Sequence, residues 1–277
     1  MFVKRVLITG GAGALGRELV NRLSAQDYTV RVMSRRSRPA TQPPEIEWAQ
    51  ADLGAGTGIS EAVAGVDTIV HAATNFFSSG KVDVAGTKRL LDAAREVDVS
   101  QVLYVSIVGI ERNPFAYYQR KLKAEALVQQ SGIPWSIQRA VQFYPFIDLI
   151  LRAFVHWPVA LLPTDLQFQP MDIREAAQSI VDRLIAGPAG WLPAIGGPQV
   201  RTLGDLAKPW MAARGLRRPI VHLPLPGKTA AAFRNGYNTC PEQKAGKMSW
   251  EAWLQEMYGQ NRRASSPYLA RYLRRSE

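Results

Sequence analysis

The chain begins with a short β-branched apolar run, "KRVLIT", then a glycine turn, then "LGRELVNRLSAQ", whose apolar positions recur at helical spacing. The same alternation continues through the first half. "YTVRVMS", "IEWAQA", "DTIVHAA", "QVLYVSIVG" and "PWSIQRA" predict a second to a sixth strand. Between them, "ISEAVAG", "VDVAGTKRLLDAAREVDV" and a stretch from about Phe115 to Gln130 carry the helical period. Strands that alternate with helices predict an α/β fold of Rossmann type, a doubly wound parallel sheet with helices on both faces.

After about Arg139 the rhythm changes. Proline becomes frequent, in "WPVALLP", "AGPAGWLPAIGGPQ" and "RRPIVHLPLPGK", around the helical patterns "DIREAAQSIVDRLIAG" and "LGDLAKPWMAARG". Asp172 and Glu175 have the spacing of a capping box, and Pro209 leaves the boundary of the second of these helices open. The expected organisation is a dinucleotide-binding domain over 1–143, a smaller, mainly helical substrate lobe over 144–260 interleaved with the last sheet strands, and a basic tail over 261–277.

Composition bounds the function. The 277 residues are 47% hydrophobic and 21% charged, an ordinary globular balance. The net charge of +11 raises the question of nucleic acid, but it divides into +4 over residues 1–145 and +7 over 146–277, and +4 of the latter lies in the last seventeen residues. No helix-turn-helix, zinc knuckle or aromatic-interleaved basic strand accompanies it, so no nucleic-acid partner is expected. The tail reads as a solvated or subunit-contacting segment. A single cysteine, Cys240, excludes an internal disulfide and fits a reducing, cytoplasmic setting. "MFVKRVLITGGAG" enters a strand at once, which leaves no room for a signal peptide. The most apolar run, Pro145 to Pro163, is broken by Asp148, Arg152, His156 and Pro158, and predicts no membrane span. His71, His156 and His222 are scattered without metal spacing, and His71 is expected to be a satisfied strand-end residue.

"VLITGGAGALGRELV" places Gly10, Gly13 and Gly16 between a strand and a helix. Glycines there allow a tight turn, let the backbone approach a pyrophosphate, and let helix and strand pack closely, with the phosphate at the positive helix end. Thr9, Gly11, Ala12, Ala14 and Leu15 complete this expected cofactor cradle. At the end of the second strand an NAD site wants a carboxylate. The sequence instead reads "VMSRRSRP", so Ser34, Arg35 and Arg36 are expected to receive a 2′-phosphate, with Arg38 a solvated loop residue. NADP(H) is therefore expected in preference to NAD(H). Asp52 and Leu53 in "ADL" follow the third strand and could cap an adenine edge, and Ala72 and Ala73 are small enough to let a cofactor lie over the fourth strand's end.

Tyr117 stands four residues before Lys121, so both project from one face of a helix, whereas Tyr118 lies off that face. The pair is either a proton-transferring couple or two polar residues on a solvated helix. Asn113 and Pro114 read as the helix's N-cap and first residue.

The glycine spacing GxxGxxG, "ADL", "HAAT", "DVAGTKRLLDAA", "VLYVSIVG", Tyr117–Lys121 and "IPWSIQRAVQF" occur in this order. Together they resemble the short-chain dehydrogenase/reductase superfamily over about residues 3–205, and are most similar to its atypical or extended members, the group of nitrogen-metabolite-repressor-like and isoflavone-reductase-like proteins. The resemblance implies Tyr117 as the catalytic acid/base, Lys121 as the residue that lowers its pKa and holds the nicotinamide ribose, and Ser106 as the partner of the substrate oxygen. It adds Ala140 and Phe143 to the cofactor-binding set. Eleven residues separate Ser106 from Tyr117, a shorter loop than most active members have, and Ile107 stands where extended members often carry a second serine. The resemblance also implies a possible homodimer through "VDVAGTKRLLDAA" and the helix bearing Tyr117.

The expected activity is NADP(H)-dependent hydride transfer on a small, mostly apolar carbonyl, alcohol or activated alkene. A non-catalytic NADP(H)-binding redox sensor or scaffold is the alternative, and an isomerase or epimerase fits the fold without its sugar-nucleotide motifs. Phe143, Tyr144, Phe146, Phe154 and Trp157 could form an apolar substrate wall, although aromatics at helical spacing commonly serve as plain core.

Overall fold

Six of the apolar runs become strands of one sheet, most of them joined by helical crossovers that bring the chain back in the same direction. The computed structural model describes residues 4–74, 81–155 and 158–259. Its elements divide into two compact units, one of Met1–Arg139 with Ala177–Pro193 and one of Ala140–Ala176 with Ala194–Glu277.

The first unit contains β1 (Lys4–Thr9), α1 (Ala14–Ser24), β2 (Tyr28–Ser34), β3 (Glu47–Gln50), α2 (Ile59–Val63), β4 (Thr68–His71), α3 (Lys81–Glu96), β5 (Gln101–Ile107), α4 (Ala116–Gln129) and β6 (Trp135–Ala140). The sheet runs β3-β2-β1-β4-β5-β6 and is extended beyond β6 by the short strand Gly190–Trp191, giving seven parallel strands. The order reverses beside β1, so the ends of β1 and β4 flank the switch point where such sheets bind ligands. Leu7, Ile69, Val102, Leu90, Ala94, Ala124 and Ile137 are fully buried in the layer between the sheet and its helices.

The second unit packs α5 (Tyr144–Phe154), α7 (Leu203–Ala213) and α9 (Trp250–Tyr258) around a core of Tyr144, Ile147, Leu151, Trp210, Trp250 and Trp253. Two small two-stranded sheets pair Ala160–Leu162 with Ile220–His222 and Gln167–Phe168 with Arg201–Thr202. Between them in sequence, α6 (Ile173–Ile185) begins in this unit and ends in the first, and α8 is Lys228–Arg234. Pro209 is accommodated inside α7. Asp148 and Arg152, which interrupt the apolar run of α5, form an i,i+4 ion pair at 2.8 Å, and the buried Asp148 carboxylate also accepts from Trp210 Nε1 (2.7 Å) and the Tyr258 hydroxyl. Among the described residues no helix is long and apolar enough to cross a membrane.

One local expectation needs correction. Asn113–Pro114 does not start α4, which begins at Ala116 with Phe115 as its N-cap. The Asn113 side-chain oxygen instead accepts the Phe115 N–H (3.0 Å), a local turn that competes with a cap. Asp172 caps α6, accepting from Arg174 N (2.7 Å), and the Glu175 carboxylate accepts from Lys247 N and Met248 N.

Candidate functional site

The turn after β1 is built for close approach. Gly10 has φ +70°, and a Cβ there would lie 2.8 Å from Ala73 Cα, so the glycine turn rests directly on the backbone that follows β4. At Gly16 a Cβ would stand 2.2 Å from Gly10 O and 2.6 Å from Gly11 Cα, so the first turn of α1 touches the loop only because the side chain is absent. Gly13 is the N-cap and offers no side chain to the first-turn N–H groups of α1. A cradle that any Cβ would fill, at an uncapped helix N-terminus, fits a pyrophosphate. Thr9 and Gly11 are buried, Ala14 faces the core, and Ala12 and Leu15 are half-buried around this turn.

A buried hydrogen-bonded chain locks the turn to β4 and α3. Ala73 N donates to Thr9 Oγ1 (3.2 Å), which lies 2.7 Å from His71 Nδ1. On the other side of the ring Nε2 stands 2.9 Å from Thr87 Oγ1, so each ring nitrogen has a hydroxyl partner. Burial, with the Lys121 charge adding to it, pushes the His71 pKa down to about 3, so the ring stays neutral. His71 is therefore the satisfied strand-end residue expected of it.

At the end of β2 the backbone is fixed while the charges are left outward. Ser34 Oγ accepts from Arg36 N (3.2 Å), Trp48 Nε1 donates to Arg36 O (2.9 Å), and Gln50 Nε2 reaches Arg35 O (3.4 Å). The exposed guanidinium groups of Arg35 and Arg36 have no ion pair or side-chain hydrogen bond among the described residues, whereas Arg38 donates to Pro43 O. Asp52 spends Oδ1 on the N–H groups of Gly54 (2.7 Å) and Ala55 (3.4 Å), which folds its own loop. Leu53 meets Gly86, whose missing Cβ would lie 2.8 Å from Leu53 Cβ, and Arg89 donates to Leu53 O (2.9 Å), so α3 clamps this loop. Gly86 and Arg89 stand in the quoted "DVAGTKRLLDAA", but the clamp was not read from it.

On α4 the positions Tyr117, Lys121 and Glu125 follow at i, i+4 and i+8, and all three are buried. The open question about the Tyr117–Lys121 face is thus answered against a solvated surface. Lys121 Nζ donates to Val105 O (2.8 Å) and lies 4.1 Å from the Tyr104 ring centroid. Burial lowers its pKa to about 8, and the carboxylates of Asp83 and Glu125 oppose the shift. Glu125, fully buried, is paired in a fork with Arg139 (2.9 and 2.8 Å). Ser106, the residue after Val105, is 2% exposed and its Oγ has no hydrogen-bond partner among the described residues.

The Tyr117 hydroxyl is 2.7 Å from Thr74 Oγ1, and Thr74 donates to Asp83 Oδ2 (2.6 Å). These two partners were not read from the sequence. Tyr118 is also buried, in edge contact with Phe115. Ala140 ends β6 and Phe143 caps α5, and both belong to the second unit, described by itself. Of the expected apolar wall, Tyr144 is core: its ring packs on Trp250 and Trp253, and its hydroxyl donates to Met248 O (2.6 Å). Phe146 and Phe154 are half-buried. His156, Trp157 and the basic tail lie outside the described residues.

Residues 10–144 match the NAD(P)H-binding family. The chain is 32% identical over 115 residues to a 3-beta-hydroxysteroid dehydrogenase of Mycolicibacterium neoaurum, covering 37% of this chain and 31% of that protein. It is 31% identical over 156 residues to a 4-hydroxy-2-methyl-3-oxo-4-farnesyl-3,4-dihydroquinoline-1-oxide ketoreductase of Stigmatella aurantiaca, covering 47% and 46%. The chain thus spans less than half the length of these relatives. Among solved structures, a nucleoside-diphosphate-sugar epimerase of Staphylococcus aureus shares the fold with a TM-score of 0.75 at 16% identity, over 91% of this chain and 99% of that one. An NADPH-dependent quinone oxidoreductase of Escherichia coli does so with 0.72 at 17%, over 91% and 99%. Residues 10–144 thus match an NAD(P)H-binding family, and the chain shares its fold with solved structures of an epimerase and a quinone oxidoreductase.

Proposed function

We propose that the protein is an NADP(H)-dependent oxidoreductase acting on a small, mostly apolar carbonyl, alcohol or activated alkene in a reducing, cytoplasmic setting, as a monomer or a homodimer. The observation that carries the reading is the Ser106 hydroxyl, buried and without a partner, beside the Val105 carbonyl that receives Lys121. A buried polar group left unpaired costs about 1–3 kcal/mol, and a substrate oxygen would satisfy it. Thr9 to Gly16 would hold the pyrophosphate, Arg35 and Arg36 the 2′-phosphate with Ser34 beside them, Asp52, Leu53, Ala72 and Ala73 the adenosine and ribose side, and Ala140 and Phe143 the nicotinamide side. A bound nicotinamide supplies the hydride. Ser106 donates to the reacting oxygen, Tyr117 gives or takes the proton there, and Lys121, a cation below about pH 8, favours the phenolate and orients the ribose.

A second reading, an NADP(H)-binding redox sensor without turnover, is favoured by one feature. Tyr117 and Lys121 both have protein partners, Thr74 and Val105 O, rather than each other. Titration with NADPH and NADH, followed by absorbance at 340 nm with apolar ketones, aldehydes and enones, separates the two. Turnover that Tyr117→Phe abolishes supports the enzyme. NADPH binding without turnover, indifferent to Tyr117→Phe, supports the sensor.

A further inference from the structure

The hydroxyl of Tyr117 belongs to a directed chain that ends in water. Thr74 Oγ1 carries one proton, and it is given to the Asp83 carboxylate at 2.6 Å. Thr74 can then only accept from its other neighbour, so Tyr117 donates to it at 2.7 Å. The phenol is 5% exposed, Thr74 is exposed, and Asp83 is half-exposed. The buried oxygen that would exchange a proton with substrate is thus two hydrogen bonds from a solvent-reaching carboxylate. Among the described residues, Tyr104 on β5, His71 on β4, and Tyr118, Lys121 and Glu125 on α4 are other titratable groups near it. His71 is neutral, and Lys121 is held by Val105 O and the Tyr104 ring, so neither offers a route to solvent.

We propose that Thr74 and Asp83 form a proton conduit for Tyr117, positioning its hydroxyl and connecting the buried phenol to solvent. The proposal rests on the oxidoreductase reading above. In the reducing direction the Tyr117 O–H bond breaks as the substrate O–H bond forms. Asp83 takes a proton from solvent and turns it to Thr74, the phenolate takes the Thr74 hydroxyl proton as Thr74 takes the one on Asp83, and the carboxylate and the phenol are left as they began. One proton passes from solvent to substrate, and no electrons move in these steps. In the oxidising direction the same transfers run backwards.

The test compares wild-type full chain with Thr74→Val, Thr74→Ser and Asp83→Asn, with far-UV circular dichroism to establish folding. The first readout needs no turnover: ionisation of the Tyr117 phenol, followed by ¹³Cζ NMR and assigned by the signal missing in Tyr117→Phe. Removing the accepting hydroxyl or the nearby negative charge should lower the ionisation midpoint by about one unit, with Thr74→Ser close to wild type. The second is the pH profile of ketone reduction with NADPH. Thr74→Val and Asp83→Asn should lower kcat roughly 10- to 100-fold with KM for the ketone little changed, and Thr74→Ser should recover most of it. Unchanged midpoints in both Thr74→Val and Asp83→Asn overturn the proposal, whether or not the protein turns over. A shifted midpoint with kcat and pH profile unchanged overturns the conduit. Shifted midpoints in Thr74→Val and Asp83→Asn, beside a wild type that reduces nothing, support the positioning and overturn the oxidoreductase reading instead.

Discussion

The Lys121 ammonium lies over the Tyr104 ring, 4.1 Å from its centroid. A cation on an aromatic face keeps part of the stabilisation it loses with water, and the 2.8 Å bond to Val105 O supplies more. The carboxylates of Asp83 and Glu125 act in the same direction, yet burial outweighs them and brings the pKa to about 8. Tyr104 is affected in the opposite sense: its own burial, then the negative charges near it, hold its pKa well above that of a free phenol.

That balance fixes a pH dependence. A lysine whose folded pKa lies below its unfolded value makes the fold less stable where both states are charged, and stability rises with pH between the two values. Between pH 8 and pH 10 the gain from this one group is on the order of 2–3 kcal/mol. Urea unfolding at the two pH values should therefore show a larger rise, or a smaller fall, for wild type than for Lys121→Met. Parallel behaviour of the two proteins would mean that Lys121 is not depressed by burial.

The glycine turn makes a ranking rather than a single expectation. A Cβ at Gly16 meets backbone at 2.2 and 2.6 Å, with nothing flexible to yield, whereas at Gly13 the nearest atom is Gly10 O at 3.0 Å and φ is −76°. Gly16→Ala should lower stability by roughly 1–3 kcal/mol and weaken NADPH binding at least tenfold, because α1 must move off the loop. Gly13→Ala should cost well under half of that in stability. Thermal melts and fluorescence titration of the two variants side by side check the order.

This part of the site was legible because it is local. Gly10, Gly13 and Gly16 lie within seven residues, between a strand and a helix that the apolar pattern itself defines. The shared face of Tyr117 and Lys121 followed from helical geometry in the same way. Thr74 was not legible as the partner of Tyr117, 43 residues away, because only the packing of α3 and α4 beside β4 brings them together. Asn113 misled for a local reason, since its side chain makes a turn with Phe115 N instead of capping. Asp148 and Arg152 were readable as breaks in an apolar run, but not as a buried ion pair, which depends on Trp210 and Tyr258 arriving from far along the chain.

Arg35 and Arg36 yield a selectivity experiment. Their backbone is tied down by Ser34, Trp48 and Gln50, so little ordering remains when an anion meets the guanidinium groups. Charge-assisted bonds contribute about 1.5–3 kcal/mol each, so Arg35→Ala/Arg36→Ala should weaken NADPH roughly 10- to 100-fold or more. NADH lacks the 2′-phosphate and should change by less than about threefold. Equal losses for both nucleotides would place these arginines outside the selecting contact.

His71 sets the acid limb of stability. The ring is fully enclosed, is hydrogen-bonded to Thr9 through Nδ1 and to Thr87 through Nε2, and its pKa is down at about 3 against an ordinary 6.5. Below pH 6.5 the unfolded chain takes up a proton that the folded ring refuses, so stability is complete above that pH and is lost as pH falls towards 3. Between pH 6.5 and pH 4.5 the loss from this group alone is about 2–3 kcal/mol. Carboxylates titrate in the same range, so the informative quantity is the difference from His71→Gln, which keeps hydrogen-bonding capacity but cannot take the proton. Urea midpoints at the two pH values should converge for wild type and variant on acidification, even if His71→Gln is the less stable protein at pH 7. A gap that stays constant would mean that His71 takes up a proton in the fold as readily as in the unfolded chain.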